Sequence, residues 1–410
     1  MLAYSIFILI SALFFNSPAE IISGMKNILI SESILISDYM LIANPGTAFF
    51  NSGLLMLIAI IISRLNKVNM NGTVIAAIFT VAGFALFGKN VYNTFSIILG
   101  VFIYAKFKNE KFNKFILIAL FGTALGPMVS QISFGTGLLN PLTALLIANL
   151  TGVLAGIMLP SLAAHFIKFH QGFNIYNIGF TAGMLGTIFM SLFRAVGLET
   201  ANTLILAEGH DQELTFYLFI LFTSMIIIGF LFNDYSFRGY LKILEHSGRL
   251  VDDFVLSEGF GVSFINMGLL GVYTTLYVII IQGKLNGPVI GAIFTVVAFG
   301  AFGKHIKNIT PIFVGVLLAS IFQIWEINSI GAILAALFGT TLAPIAGVFG
   351  WKSGVVAGFI HMAMVMNIGY LHGGVNLYNN GFAGGMVAAF LVPIIATFKE
   401  GPNAGIIKND

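Results

Sequence analysis

Long apolar runs broken by short polar clusters dominate the chain. Fourteen such stretches lie near residues 2–15, 46–63, 72–88, 91–105, 115–131, 139–166 and 178–193, then 214–232, 261–281, 287–303, 308–325, 329–349, 353–371 and 380–398. Apolar runs of roughly 17 to 25 residues suit helices that cross a bilayer, whereas outer-membrane barrels show short alternating segments. Several stretches are short. A helix from Gly72 to Gly88 would reach about 25 Å, barely the hydrocarbon thickness, so some stretches are expected to be re-entrant or broken. The first run lacks a basic flank and has a counterpart at Leu214 to Phe232, so it reads as a retained span and not as a signal peptide.

Composition agrees with a membrane solvent. Of 410 residues, 58% are hydrophobic and 9% charged, against about 25% charged in a soluble globular chain. The formal net charge is +3, with basic residues set singly between apolar runs, which leaves no stripe for nucleic acid. There is no cysteine, hence no disulfide, thiolate nucleophile or cysteine metal site.

The chain repeats. Shifted by 215, residues 71–101 overlie residues 286–316 with 17 of 31 positions identical. FGTALGP (Phe121 to Pro127) pairs with FGTTLAP (Phe338 to Pro344), and HQGFNIYNIGFTAGM from His170 pairs with HGGVNLYNNGFAGGM from His372 at 9 of 15 identities. Two units follow, 1–208 and 209–410, each with seven stretches. With all fourteen spanning and the N-terminus inside, fifteen basic residues fall on inside segments and four, Lys26, Lys89, Arg194 and Lys284, on outside ones. Cytoplasmic loops collect Lys and Arg, so both termini are expected in the cytoplasm and the linker from Glu199 to Glu213 outside. An odd number of spans per unit makes the units antiparallel. The expected fold is an all-α polytopic membrane protein of two inverted repeats of about seven transmembrane or re-entrant helices each, multi-pass in the inner (plasma) membrane. Solute sites in such proteins lie near the midplane where the repeats meet.

Residues shared by both units are the candidate chemistry. The duplicated string places Asn174, Tyr176 and Asn177 in one unit and Asn376, Tyr378 and Asn379 in the other. Amides and phenols are expensive in lipid unless partnered, so they are expected either to hydrogen-bond a polar solute or to cap and anchor the following helix. Lys89 and Lys304 end the two Phe-Gly-Lys segments. They either snorkel to opposite faces or, if the short helix stops midway, approach the centre and favour an anion. Asn51 and Asn266 are read as pore or packing groups, and Asp38 and Asp253 as coupling-ion ligands or caps. His165 and His361 have no counterpart in the other unit and read as packing groups. Gly152 with Gly156, and Gly354 with Gly358, form small-xxx-small pairs for close helix contact. No nucleotide, zinc or serine-hydrolase motif appears, and no cofactor or metal is implied.

The doubled FGTxLxP, HxGxN and NxYNxGFxxGM strings resemble the bacterial integral membrane protein family catalogued as domain of unknown function 1576, over nearly the whole chain. That resemblance implies a membrane location and no settled activity. Asn51 in FFNSGLLMLI and Asn376 in GGVNLYNNGFAGG more loosely resemble the pore segments of urea transporters, although the Leu-Pro-x-x-Thr-x-Pro-Phe signature of that family is missing. The seven-plus-seven arrangement is similar in architecture to nucleobase and anion transporters. The expected function is a channel or secondary transporter for a small polar or anionic solute, homo-oligomeric in the bilayer. The alternatives are a membrane enzyme acting on a lipid-linked substrate, with His170 or His372 as acid-base, and a non-transporting scaffold.

Overall fold

The computed structural model describes residues 1–135, 137, 140–198, 204–322 and 324–400. Of the linker expected outside, residues 199–203 lie beyond this set, as does the tail carrying Lys408. The first unit contains α1 (Leu2–Phe15), α2 (Pro18–Leu29), α3 (Tyr39–Ile42), α4 (Pro45–Leu65), α5 (Gly72–Phe84), α6 (Val91–Phe107), α7 (Ile116–Gly122), α8 (Gly126–Ser130), α9 (Pro141–Phe166) and α10 (Asn177–Ala195). The second contains α11 (Asp211–Leu231), α12 (Tyr240–Ile243), α13 (Phe254–Ser257), α14 (Phe260–Ile280), α15 (Gly287–Ala298), α16 (Ile306–Phe322), α17 (Ile330–Gly339), α18 (Ala343–Phe349), α19 (Trp351–His372) and α20 (Asn379–Glu400). Among the described residues only isolated bridges, and no strands, join extended segments.

Among the described residues, nine helical segments are long and apolar enough to cross a membrane. The remaining apolar stretches are α1 with α2, bent by 109° at their junction, and the shorter α5, α6, α15 and α16. The fourteen apolar stretches are all helical, but α2 was not among them. It starts at a Ser17/Glu20 capping box and carries Glu20 and Lys26, charges that mask its apolar side in a hydropathy reading. The stretch expected at 72–88 ends its helix at Phe84, because Gly88 adopts φ +90° and turns the chain toward Lys89. At thirteen residues, α5 is about 20 Å long.

The helices match unit for unit, and each unit packs in the same order. In the first, α1 lies on α4 and α6 on α9; in the second, α11 lies on α14 and α16 on α19. Small residues set the distance. A Cβ at Gly100 of α6 would stand 2.2 Å from the Val153 carbonyl oxygen, and one at Gly156 of α9 2.3 Å from that of Ile97. Gly315 and Gly358 repeat this contact between α16 and α19. The glycine pairs therefore serve close packing, as their spacing predicts.

Two pairs of equivalent helices pack on each other across the units, α5 with α15 and α10 with α20, and α10 also lies on α19. Gly72 at the start of α5 abuts the Ala301 carbonyl just beyond α15, Gly287 at the start of α15 abuts that of Leu86 just beyond α5, and Gly83 and Gly291 touch each other's backbone. These two helices therefore run antiparallel. Each is capped from the opposite unit. Asp253 accepts from the amides of Gly72 (3.0 Å) and Thr73 (3.3 Å), while Asp38 accepts from that of Gly287 (3.2 Å).

Candidate functional site

The duplicated strings lead into the first turns of α10 and α20, and they meet. The Tyr176 and Tyr378 rings lie 5.2 Å apart between centroids, and the side-chain amide of Asn174 donates to the Gly381 carbonyl at 2.9 Å while that of Asn376 donates to Gly179 at 3.4 Å. Both strings are fastened by the FGTxLxP breaks of the other unit: Ile175 N–H donates to the Thr341 carbonyl and Leu377 N–H to that of Ala124. Each break is a short 3-10 turn between two helices, Thr123–Leu125 or Thr340–Leu342, immediately before a helix with an early proline.

The asparagines are occupied by protein. Asn177 Oδ1 pairs with His170 Nε2 (3.0 Å) and its Nδ2 donates to the Ala163 carbonyl (3.2 Å). Asn379 repeats this with His372 Nε2 (2.9 Å) and the Val365 carbonyl (3.3 Å). Their side chains do not cap the helices; they pin each string to the preceding helix. Asn51 Nδ2 donates to the carbonyls of Ala85 and Lys89, and Asn266 Nδ2 to those of Gly300 and Lys304. These two hold the turns after α5 and α15, the packing alternative of the sequence reading. Asp38 also accepts from the amides of Met40 and Ala207, and Asp253 from those of Val255 and Leu256. Buried carboxylates satisfied by several backbone amides act as caps, not as open ion ligands. His361, single in the sequence, is buried and paired through Nε2 with Asn380 Oδ1 at 3.0 Å.

The lysines stand apart. Neither snorkels: Lys89 and Lys304 are both fully buried. The Lys304 ammonium donates to the Tyr176 hydroxyl and to Thr340 Oγ1 (2.7 Å) and lies 5.1 Å from the Phe299 ring centroid. The Lys89 ammonium lies 5.0 Å from the equivalent ring, Phe84, with no hydrogen-bond partner among the described residues. The surrounding rings repeat closely: Phe84 to Tyr378 is 4.6 Å and Phe299 to Tyr176 is 4.7 Å. Both ammoniums receive cation-π attraction, but only one is hydrogen-bonded. Among the described residues no carboxylate lies within ion-pair distance of either, and no three His, Asp or Glu side chains are grouped to hold a metal.

A cavity of about 300 Å³ reaches this centre from one side. Tyr176, Tyr378 and Asn177 stand along it, and Leu117, Phe121, Phe299, Phe302, Leu250 and Val251 make it largely apolar. Sequence reasoning did not single out Thr80, Thr340, Thr341, Phe84 or Phe299. Thr340 and Thr341 lie inside the doubled FGTxLxP string, so the duplication itself was the available signal. No characterised protein and no solved structure matches the chain. The profile of the family described as "Protein of unknown function (DUF1576)" matches residues 17–195 and 232–397, one segment within each unit, and the chain therefore belongs to that family.

Proposed function

We propose that this protein is a membrane transporter of two inverted repeats, moving a small polar or anionic solute through the meeting point of α10, α20 and the two Phe-Gly-Lys turns. The antiparallel packing of equivalent helices α5 and α15 supports the inverted arrangement, since a helix and its repeat can run oppositely when the units are inverted. The observation that carries the reading is the convergence of both polar strings and both buried lysines on one centre with an adjoining cavity. Interrupted helices around a polar midpoint are tolerated in lipid where they line a cavity. A scaffold would gain nothing from burying two ammoniums, each costing about 2.5 to 3.5 kcal/mol or more at the bilayer centre.

In this reading the asparagines position the strings, the tyrosines and lysines face the solute, and the cavity beside Leu250 and Val251 is the approach from the cytoplasmic side. The protein sits in the plasma membrane as a homo-oligomer with both termini inside. The test is a screen of small metabolites for thermal stabilisation of the purified protein, since a solute that binds the native state raises its stability. Radiolabelled hits are then offered to proteoliposomes. Protein-dependent uptake of at least one hit is expected; uptake no faster than in protein-free vesicles for every hit overturns the reading.

A further inference from the structure

The two lysine centres are equivalent in sequence and in their rings, yet only one is satisfied. On the Lys304 side the ammonium, the Tyr176 hydroxyl and Thr340 Oγ1 close on one another. Thr341, which replaces the Ala124 of the first unit, ties that side further: its hydroxyl bonds Asn174 Oδ1 and receives the Tyr176 amide. On the Lys89 side three buried donors have no acceptor among the described residues, namely Lys89 Nζ, the Tyr378 hydroxyl and Thr80 Oγ1. They form one group. Lys89 and Tyr378 both pack on Phe84, and Thr80 lies one helical turn before Phe84 on α5.

We propose that Lys89 and Tyr378, with Thr80 beside them, form an open seat for the carboxylate of a small organic monoanion whose apolar body extends past Tyr378 into the adjoining cavity, and that Lys304 and Tyr176 are the equivalent pair, closed by Thr340. This deepens the transport reading and rests on it. Buried donors left unsatisfied are costly, and the three together want an acceptor with negative charge. The first turns of α10 and α20 lie at the same centre and add positive potential. One free ammonium suits one negative charge, and the largely apolar cavity of about 300 Å³, which Tyr378 alone of the three lines beside Tyr176 and Phe299, suits a hydrocarbon body.

The experiment measures thermal stabilisation of the full chain in detergent by benzoate and isobutyrate, with benzamide and isobutyramide as neutral isosteres. The acids are expected to stabilise and the amides not. Lys89→Gln is expected to weaken binding of the acids about tenfold or more, and Tyr378→Phe, which keeps the ring on Phe84 and so guards against misfolding, to weaken it by a smaller factor. Equal stabilisation by amides, none by either acid, or unchanged affinity in folded K89Q and Y378F overturns the seat. Uptake separates this from the broader reading. Acids that bind but are not carried into proteoliposomes remove transport and leave the seat; neutral solutes carried while acids fail to bind do the reverse.

Discussion

Asn379→Ala removes a side chain with two bonds inside the protein, so its first effect falls on stability. His372 Nε2 and the Val365 carbonyl would each lose a partner, at about 1 to 3 kcal/mol for a buried group left unsatisfied. Denaturant unfolding in detergent should show that loss for N379A and a similar one for Asn177→Ala, whose bonds are the same in kind. A wild-type midpoint in both variants would mean that the asparagines face solute and not the preceding helices. The importance of these residues was legible, because a His-Gly-Asn-Tyr-Asn string written twice is unexpected in apolar sequence. Their partners were not. Asn174 meets Gly381 and Tyr176 meets Tyr378 across about two hundred residues, and spacing along a chain carries no information on such contacts. The lysines left two readings open for the same reason: whether α5 stops before Lys89 depends on Gly88 adopting a left-handed turn against Leu377 of the other unit.

Helices α5 and α15 depend on glycine where they touch. A Cβ at Gly83 would stand 2.6 Å from the Gly291 carbonyl oxygen, backbone that cannot move aside as a side chain can. Gly83→Val is therefore expected to cost about 1 to 3 kcal/mol or more by overpacking, seen as a lower melting temperature and poorer yield of folded protein; Val at exposed Phe95 of α6 should cost far less. The segment between α12 and α14 makes a different prediction. His246 lies between Asp252 (Nδ1 to Oδ1, 2.7 Å) and Glu258 (Nε2 to Oε1, 3.1 Å). Partial burial would lower its pKa, but the hydrogen bonds it donates to Glu258 and Asp252 and their charges outweigh it and raise the value above the ordinary 6.5. A raised histidine contributes stability below its unfolded pKa and loses that contribution as pH rises through the folded value. Protection factors across residues 244–259, corrected for the intrinsic pH dependence of exchange, should fall as pH rises above 6.5, and His246→Gln should flatten that fall. No pattern in the chain announced this cluster, since its three members come from a turn, a loop and a helix end. Periodicity likewise found the long helices and missed α2, whose charges lie on one side of twelve residues.

At the scale of the molecule, the basic residues and the helix contacts bear on one arrangement from independent directions. The charge count assigned Lys89 outside and Lys304 inside; both are buried, so they leave the count, which falls from fifteen against four to fourteen against three. The bias survives because it rests on loops, above all Lys106 to Lys114, and not on the central turns. The crossing of α5 with α15 contributes what charge cannot, that equivalent helices run in opposite directions. Lys67 and Gln282 occupy equivalent turns after α4 and α14, share a left-handed backbone (φ 54° and 58°) and are exposed. In two inverted repeats these turns lie on opposite faces of the membrane. On the natural cysteine-free background, Lys67→Cys should react with an impermeant maleimide only after the membrane is opened, and Gln282→Cys in intact cells. Two parallel repeats would put both turns on one face and give both the same response, whatever the overall orientation. Reaction of both from one side would therefore remove the inverted arrangement together with the cytoplasmic approach through the cavity beside Leu250, while leaving the contacts of the central lysines untouched.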